Sequence, residues 1–127
     1  MQGPSDKNRN NLALVHVGEP AGQPHRPVAP VVAFDRRELM QILSVYGRKV
    51  GQGEWRDYAM DFLRDRAVFS IYARMSERPL FVIEKAPRLR NRQGQYSVTN
   101  QQGRILRRGH DLALVLRVLD PHLVVVQ

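Results

Sequence analysis

Residues 85–108 read KAPRLRNRQGQYSVTNQQGRILRR and combine strand-like alternation with most of the net charge of the chain. Seven basic residues and no acid give this stretch a charge of +7, whereas the whole chain of 127 residues carries +8. Tyr96 and Val98 alternate with polar residues as in a strand, and Gly94 and Gly103 are turn signals. The pattern predicts two neighbouring strands that present a basic surface. The candidate binding residues, called the basic patch below, are Lys85, Arg88, Arg90, Arg92, Arg104, Arg107 and Arg108.

Strand patterns also occur in the residues before this stretch and within it. Residues 67–74 are rich in β-branched and aromatic side chains, and residues 80–85 form the returning strand after a turn. Residues 95–100 and 104–108 predict a second hairpin, joined by a glycine-containing turn. The sequence therefore predicts a small antiparallel sheet of about four strands in two hairpins.

A helix is predicted ahead of the sheet. Asp35 followed by Glu38 has the spacing of a capping box, in which the two side chains satisfy backbone amides at the start of a helix. Apolar residues follow at helical intervals and form one face, and Gly51 and Gly53 end the helix. The apolar face consists of Leu39, Ile42, Leu43, Tyr46 and Val50.

Two further helices are predicted from apolar spacing. Residues 54–64 hold aromatic and small residues three, four and seven positions apart, which is typical of one helix face. Trp55 opens this face and is expected in the core. Asp111 caps a last helix that Pro121 stops. The face of the second helix consists of Trp55, Tyr58, Ala59 and Phe62.

The combined elements predict an α+β fold with two helices, the sheet, and a C-terminal helix that packs on it. Residues 31–121 are expected to form this single domain. Residues 1–30 are rich in proline and polar residues, which predicts a flexible segment. Residues 122–127 form a short apolar tail that could add an edge strand.

Residue types that carry catalysis or bind metals do not cluster in the sequence. The absence of cysteine excludes thiolate zinc sites and a cysteine nucleophile, and the four histidines stand apart from one another. Asp57, Asp61 and Asp65 repeat at intervals of four and could gather a divalent cation, although a solvated ridge, or pairing with arginines from elsewhere in the chain, explains them better. We therefore predict no enzyme activity, no catalytic residues, no cofactor and no metal site.

The basic patch points to an anionic partner. Guanidinium groups bind phosphate through paired hydrogen bonds, so we expect a non-catalytic protein that binds nucleic acid (RNA or DNA) or a ribonucleoprotein. The alternative is an adaptor that binds an acidic protein, or itself as a homodimer through an exposed strand. No apolar run is long enough for a membrane helix, and no secretory signal is visible, so a cytoplasmic protein without a membrane partner is expected.

Three segments carry a family resemblance. They are FDRRELMQILSVYGRKVGQGEWRDYAMDF from Phe34, RAVFSIYAR from Arg66, and QGQYSVTNQQGRILRRGHDLALVLRVL from Gln93. Together they resemble a family of small alphaproteobacterial proteins, domain of unknown function 2794, over about residues 34–119. The resemblance implies a bacterial cytoplasmic protein and carries over no activity and no site residues.

Overall fold

The computed structural model describes residues 30–73 and 77–120. The predicted flexible segment 1–30, apart from Pro30, and the predicted tail 122–127 lie outside the described residues.

The described residues form two helices and one antiparallel sheet, as expected for an α+β fold. Each strand pairs with the next one along the chain, so the sheet is a meander in the order β1-β2-β3-β4-β5. The elements are α1 (Arg36–Gly51), β1 (Asp57–Phe62), β2 (Ala67–Tyr72), β3 (Phe81–Lys85), a 3₁₀ turn (Pro87–Leu89), β4 (Tyr96–Asn100), β5 (Ile105–Gly109) and α2 (Leu112–Leu116).

Local signals set the start of α1. The Asp35 side chain accepts a 2.8 Å hydrogen bond from the Glu38 amide, and Glu38 Oε1 accepts a 2.8 Å bond from the Asp35 amide. The predicted capping box is therefore confirmed. The helix ends at Gly51, and Gly53 follows it with a φ of 80°, a conformation that glycine adopts without strain.

The prediction of a helix over residues 54–64 is wrong, because residues 57–62 form β1 and raise the sheet to five strands. The sequence DYAMDF also alternates with a period of two, which places Tyr58, Met60 and Phe62 on one face and the aspartates on the other. The helical period and the period of two both fit a segment of only six residues. The outcome follows from β2, which offers hydrogen-bond partners along the whole length of β1.

The core lies on one face of the sheet, beneath both helices. Phe69 and Ile71 of β2, Ile83 of β3 and Val98 of β4 share this face and are almost fully buried. The ring of Tyr46 from α1 packs 6.0 Å from that of Phe69, so α1 covers the β1–β2 side. The contacts of α2 with β4 and β5 cover the other side.

Trp55 is 3% exposed, which confirms its predicted place in the core although it does not lie in a helix. Its ring lies 6.1 Å from the ring of Tyr46 and 6.1 Å from that of Phe81. The residue thus joins α1 to the middle of the sheet, immediately before β1.

The C-terminal helix begins as predicted and is shorter than predicted. The Asp111 side chain accepts a 3.0 Å hydrogen bond from the Ala113 amide, and the helix ends at Leu116. The amides of residues 117–120 then bond to carbonyls three residues back, so the chain tightens into turns before Pro121. Asp120, buried at this end, pairs with Arg48 of α1 at 3.4 Å.

Candidate functional site

Lys85 belongs to the predicted basic patch, but its charge is compensated inside the fold. Its Nζ donates to Glu38 Oε1 at 2.8 Å and to the Ala33 carbonyl at 3.0 Å. Glu38 is buried, and its other oxygen accepts a short hydrogen bond from the Tyr96 hydroxyl. Lys85 therefore links β3 to the start of α1 and adds no free charge to the surface.

Tyr96 takes part in the same contact through its hydroxyl and shares the core-facing side of β4 with Val98. The residue is 8% exposed, and burial together with the hydrogen bond to Glu38 raises the pKa of its phenol. A buried ring whose hydroxyl is bonded inward cannot stack on a nucleobase. The basic patch thus has no aromatic platform at this position.

Three arginines of the patch lie on the connection between β3 and β4 rather than on a strand. Arg88, Arg90 and Arg92 are exposed there. The connection is tied by its own backbone, with Ala86 donating to the Gln95 carbonyl at 2.7 Å. The Leu89 carbonyl accepts from the amides of Arg92 and Gly94, both at 3.0 Å. The arginines therefore project from an ordered loop.

This loop rests against the end of β5. Gly94 is buried against the backbone of Gly109 so closely that an added Cβ would overlap it. Arg108 reaches the same point, because its Nη1 donates to the Gly94 carbonyl at 3.4 Å. Arg107, the preceding residue of β5, is exposed on the opposite face of the sheet, because it lies across from Val98 whereas Arg108 lies across from Ser97. The contact brings the loop arginines and the strand arginines to one end of the sheet.

Arg104 lies at the other end of β5, in the turn after β4. Asn100 orders this turn by accepting hydrogen bonds from the amides of Gln102 at 3.0 Å and Arg104 at 2.9 Å. Three residues of extended chain, or about 10 Å, separate Arg104 from Arg107, and five residues, or about 17 Å, separate it from Gly109, against which the loop rests. The structure thus divides the basic patch. The cluster at the loop end, called the arginine end below, consists of Arg88, Arg90, Arg92, Arg107 and Arg108.

The charge of the arginine end is uncompensated within the described residues. None of its five arginines forms an ion pair with a carboxylate of residues 30–73 or 77–120. Elsewhere Arg48 pairs with Asp120 and Arg66 with Glu84, each at 3.4 Å. A group of free guanidinium donors on an ordered scaffold can bind several phosphate or carboxylate groups at once.

The predicted carboxylate row does not form a metal site in the part of the chain that is described. There, no group of three histidine or carboxylate side chains is placed to hold an ion. Asp57 and Asp61 lie on the outer face of β1, and Asp65 in the following turn pairs with Arg66 at 3.3 Å. In residues 30–73 and 77–120, no helix has the length and apolar character that crossing a membrane requires.

The outward edge of β1 is the feature that sequence reasoning missed. All six residues of β1 are exposed, including the three large side chains on the core-facing side. The alternation in DYAMDF was the available signal, and the competing helical spacing concealed it.

Comparison with protein families matches residues 32–116 to the family described as Protein of unknown function (DUF2794). This confirms the resemblance noted in the sequence, over more than half of the chain. No curated protein and no solved structure matches the chain.

Proposed function

We propose that this chain, which belongs to the family Protein of unknown function (DUF2794), is a non-catalytic protein that binds nucleic acid through its arginine end. The observation that supports the proposal is the group of five guanidinium groups without an acidic partner among the described residues. The resemblance to alphaproteobacterial proteins favours the bacterial cytoplasm as the setting.

The ordering of the loop strengthens this proposal. A flexible arginine segment loses conformational entropy when it binds, whereas the loop backbone is already fixed by hydrogen bonds and by the contact of Gly94 with Gly109. Each guanidinium can donate two parallel hydrogen bonds to one phosphate. The arginines project from both faces of this end of the sheet, so the arrangement suits phosphates on either side of it, as across a groove.

Backbone contacts rather than base contacts are expected to dominate. Tyr96 is buried, and the exposed aromatic residues of the sheet lie on β1, four strand spacings or about 19 Å from β5. Because the described part of the chain places no exposed aromatic ring of the sheet beside the arginine end, the protein is expected to bind with little sequence preference and with a steep dependence on salt.

Two matched variants test the proposal. The first replaces Arg88, Arg90, Arg92 and Arg107 with Gln. The control replaces four exposed arginines outside the arginine end, namely Arg36, Arg37, Arg56 and Arg64, with Gln. Arg48 is left intact in both because it pairs with buried Asp120. Both variants lose four positive charges, so a difference between them reports position rather than net charge.

Fluorescence anisotropy with a labelled single strand and a labelled duplex gives the readout. We expect the first variant to lower the slope of log K against log salt by about 0.7 per lost phosphate contact on the single strand and about 0.9 on the duplex. The control should retain most of the parent slope. Equal slopes for both variants would contradict a defined site.

An acidic protein partner is the competing function, and the same titration separates the two. At about 0.15 M salt, exposed charges are screened beyond about 8 Å, and incidental attraction to nucleic acid fades. Loss of all nucleic-acid binding at this salt concentration would overturn the proposal. It would leave the arginine end as a surface for a carboxylate-rich protein.

A further inference from the structure

We propose that a second copy of this chain pairs antiparallel with the free edge of β1, centred on Met60, so that the two sheets become one. This inference goes beyond nucleic-acid binding and does not depend on it. It rests on the exposure of the edge, the direction of its free backbone groups, and a register in which the strand complements itself.

The edge is long, regular and apolar on one side. Tyr58, Met60 and Phe62 are 43%, 37% and 43% exposed, although all three lie on the face that the helices cover. Their inner surfaces touch the core, since Tyr58 stacks on Phe69 with ring centroids 4.8 Å apart. Leu63 and Val31 extend the exposed apolar surface past the end of the strand, being 38% and 52% exposed. A long apolar edge strand of this kind invites pairing with another chain.

The backbone groups of the same three residues point away from the sheet. The Leu63 amide donates to the Arg66 carbonyl at 2.8 Å, so Leu63 directs its N–H toward β2. Successive residues of a strand direct these groups to opposite sides, and Asp61 and Ala59 therefore also bond to β2. Among residues 30–73 and 77–120, no strand pairs with this side of β1, so the N–H and C=O groups of Tyr58, Met60 and Phe62 are left for a further strand.

Only one symmetric register suits these side chains. A twofold axis perpendicular to the sheet leaves the helices of both copies on the same side of the joined sheet. Directly opposed residues then lie on the same face, so the sum of their residue numbers is even. Centring on Met60 places Tyr58 opposite Phe62 of the second copy, and Asp61 opposite Ala59. All the free backbone groups of the strand are then used, and aromatic side chains meet across strands.

The neighbouring registers are less favourable because they bring carboxylates together. Centring on Ala59 places Asp57 opposite Asp61 of the second copy, and centring on Asp61 places that residue opposite itself. Like charges directly opposite one another destabilise a strand pair. The positions of the two aspartates thus favour the register centred on Met60.

Two other occupants compete with this arrangement: the chain before α1, whose Val32 amide donates to the Leu63 carbonyl at 2.7 Å at the end of β1, and the opposite sheet edge of another copy. Arg107 and Arg108 of β5 would complement the charge of Asp57 and Asp61, which favours a head-to-tail contact between copies. However, the register of β4 with β5 shifts between Val98 and Thr99, and such a bulge disrupts regular pairing at an edge. A head-to-tail contact would also repeat without closing.

Single cysteines test both the contact and its register, because the chain has no cysteine of its own. Opposed residues of a hydrogen-bonded pair have Cα atoms about 5.5 Å apart, within the range that a disulfide spans. Under mild oxidation, Met60→Cys should form a disulfide dimer at least about tenfold faster than Ile105→Cys, its control on β5. Cross-linking of Met60→Cys to Ile105→Cys in a mixture, without self-linking of either, would show the head-to-tail contact and overturn the proposal.

Light scattering of the full-length protein gives the second measurement. The parent should have twice the mass of the chain, even at about 1 M salt, where the Debye length of about 3 Å removes bridging by nucleic acid. Met60→Lys places two like charges opposite each other and should yield a monomer, whereas Ile105→Lys should remain a dimer. A monomeric parent at about 0.1 mM, with no self-linking of Met60→Cys, would overturn the proposal, whether β1 is then open or covered by another segment of the same chain.

Discussion

The two edges of the sheet expose their backbone in opposite ways. The β5 edge carries Arg107 and Arg108 and a shift in register, and the loop after β3 rests against its end. The β1 edge has an unbroken register with β2 along all six residues, and its large exposed side chains are apolar. The first edge has a bulge and charged side chains that discourage pairing with another strand, whereas the second has no bulge in its register with β2 and carries charge, at Asp57 and Asp61, only on its outer face.

The comparison indicates how one small sheet can hold two different surfaces. The β5 edge carries charged groups and an irregular backbone. It therefore suits small anionic groups such as phosphate, which bind to hydrogen-bond donors and do not require a regular strand. An edge that is regular, and apolar on one face, suits another strand, which needs a continuous register. Each edge is also fixed to the body of the protein by its own contacts, and three substitutions compare these attachments.

The largest effect is expected from Trp55→Ala, which removes the residue that fixes the start of β1 to α1 and β3. The loss of a fully buried aromatic side chain should lower the free energy of unfolding by about 3–5 kcal/mol. Because the substitution removes the only tryptophan, unfolding in urea is followed by circular dichroism. Leu106→Ala, at a residue 37% exposed on β5 and outside the proposed contact between copies, is the control and should cost less than half as much. A fully stable Trp55→Ala variant would show that β1 does not depend on this anchor.

A somewhat smaller effect is expected from Gly94→Ala at the β5 edge. Gly94 has a φ of 101°, and its added Cβ would overlap the Gly109 backbone, so strain and overlap together should cost about 2–5 kcal/mol. Gly103→Ala is the matched control, because Gly103 has a φ of 85° and nothing within 4 Å of an added Cβ. It should cost about 1–2 kcal/mol, the conformational part alone. Equal losses, measured by urea unfolding, would mean that the contact between the loop and β5 adds nothing.

The smallest effect is expected from Tyr96→Phe, on the strand beside β5. Loss of the hydroxyl leaves one oxygen of buried Glu38 without its bond and should cost about 1–3 kcal/mol at neutral pH. Because burial and the Glu38 hydrogen bond raise the pKa of Tyr96, its contribution to stability is present below about pH 10, the value for an unfolded chain, and is lost as pH rises through the folded pKa.

Urea unfolding between about pH 7 and pH 11 checks this prediction. Above about pH 10, the parent should lose stability faster than Tyr96→Phe, by up to about 1.4 kcal/mol per pH unit. Parallel curves for the two proteins would show that the Tyr96 phenol does not titrate abnormally in the folded state.

The sequence predicted the elements whose causes are local. The capping box at Asp35 and Glu38 and the turn at Gly103 are short-range patterns, and the structure contains both. The strand β1 was predicted as a helix, because the choice between two periods depended on pairing with β2, a contact that no local pattern records. Propensity over six residues is too weak to decide such a case.

The candidate site was also only partly predictable from the sequence. The excess of arginine is visible in the composition, and it survives in the structure as the arginine end. The ion pair of Lys85 with Glu38 was not predictable, because the two residues are 47 positions apart and meet only when the sheet folds beneath α1. The distance of Arg104 from the other arginines likewise depends on where the strands end.

Glu38 has a consequence for how the protein folds. One carboxylate closes the first turn of α1 and also receives Lys85 from 47 positions and Tyr96 from 58 positions along the chain. The capping box that starts the helix therefore shares its carboxylate with two distant contacts, whose loops are costly to close. The first turn of α1 should not fray independently, and the helix and the central strands are expected to form and melt as one cooperative unit.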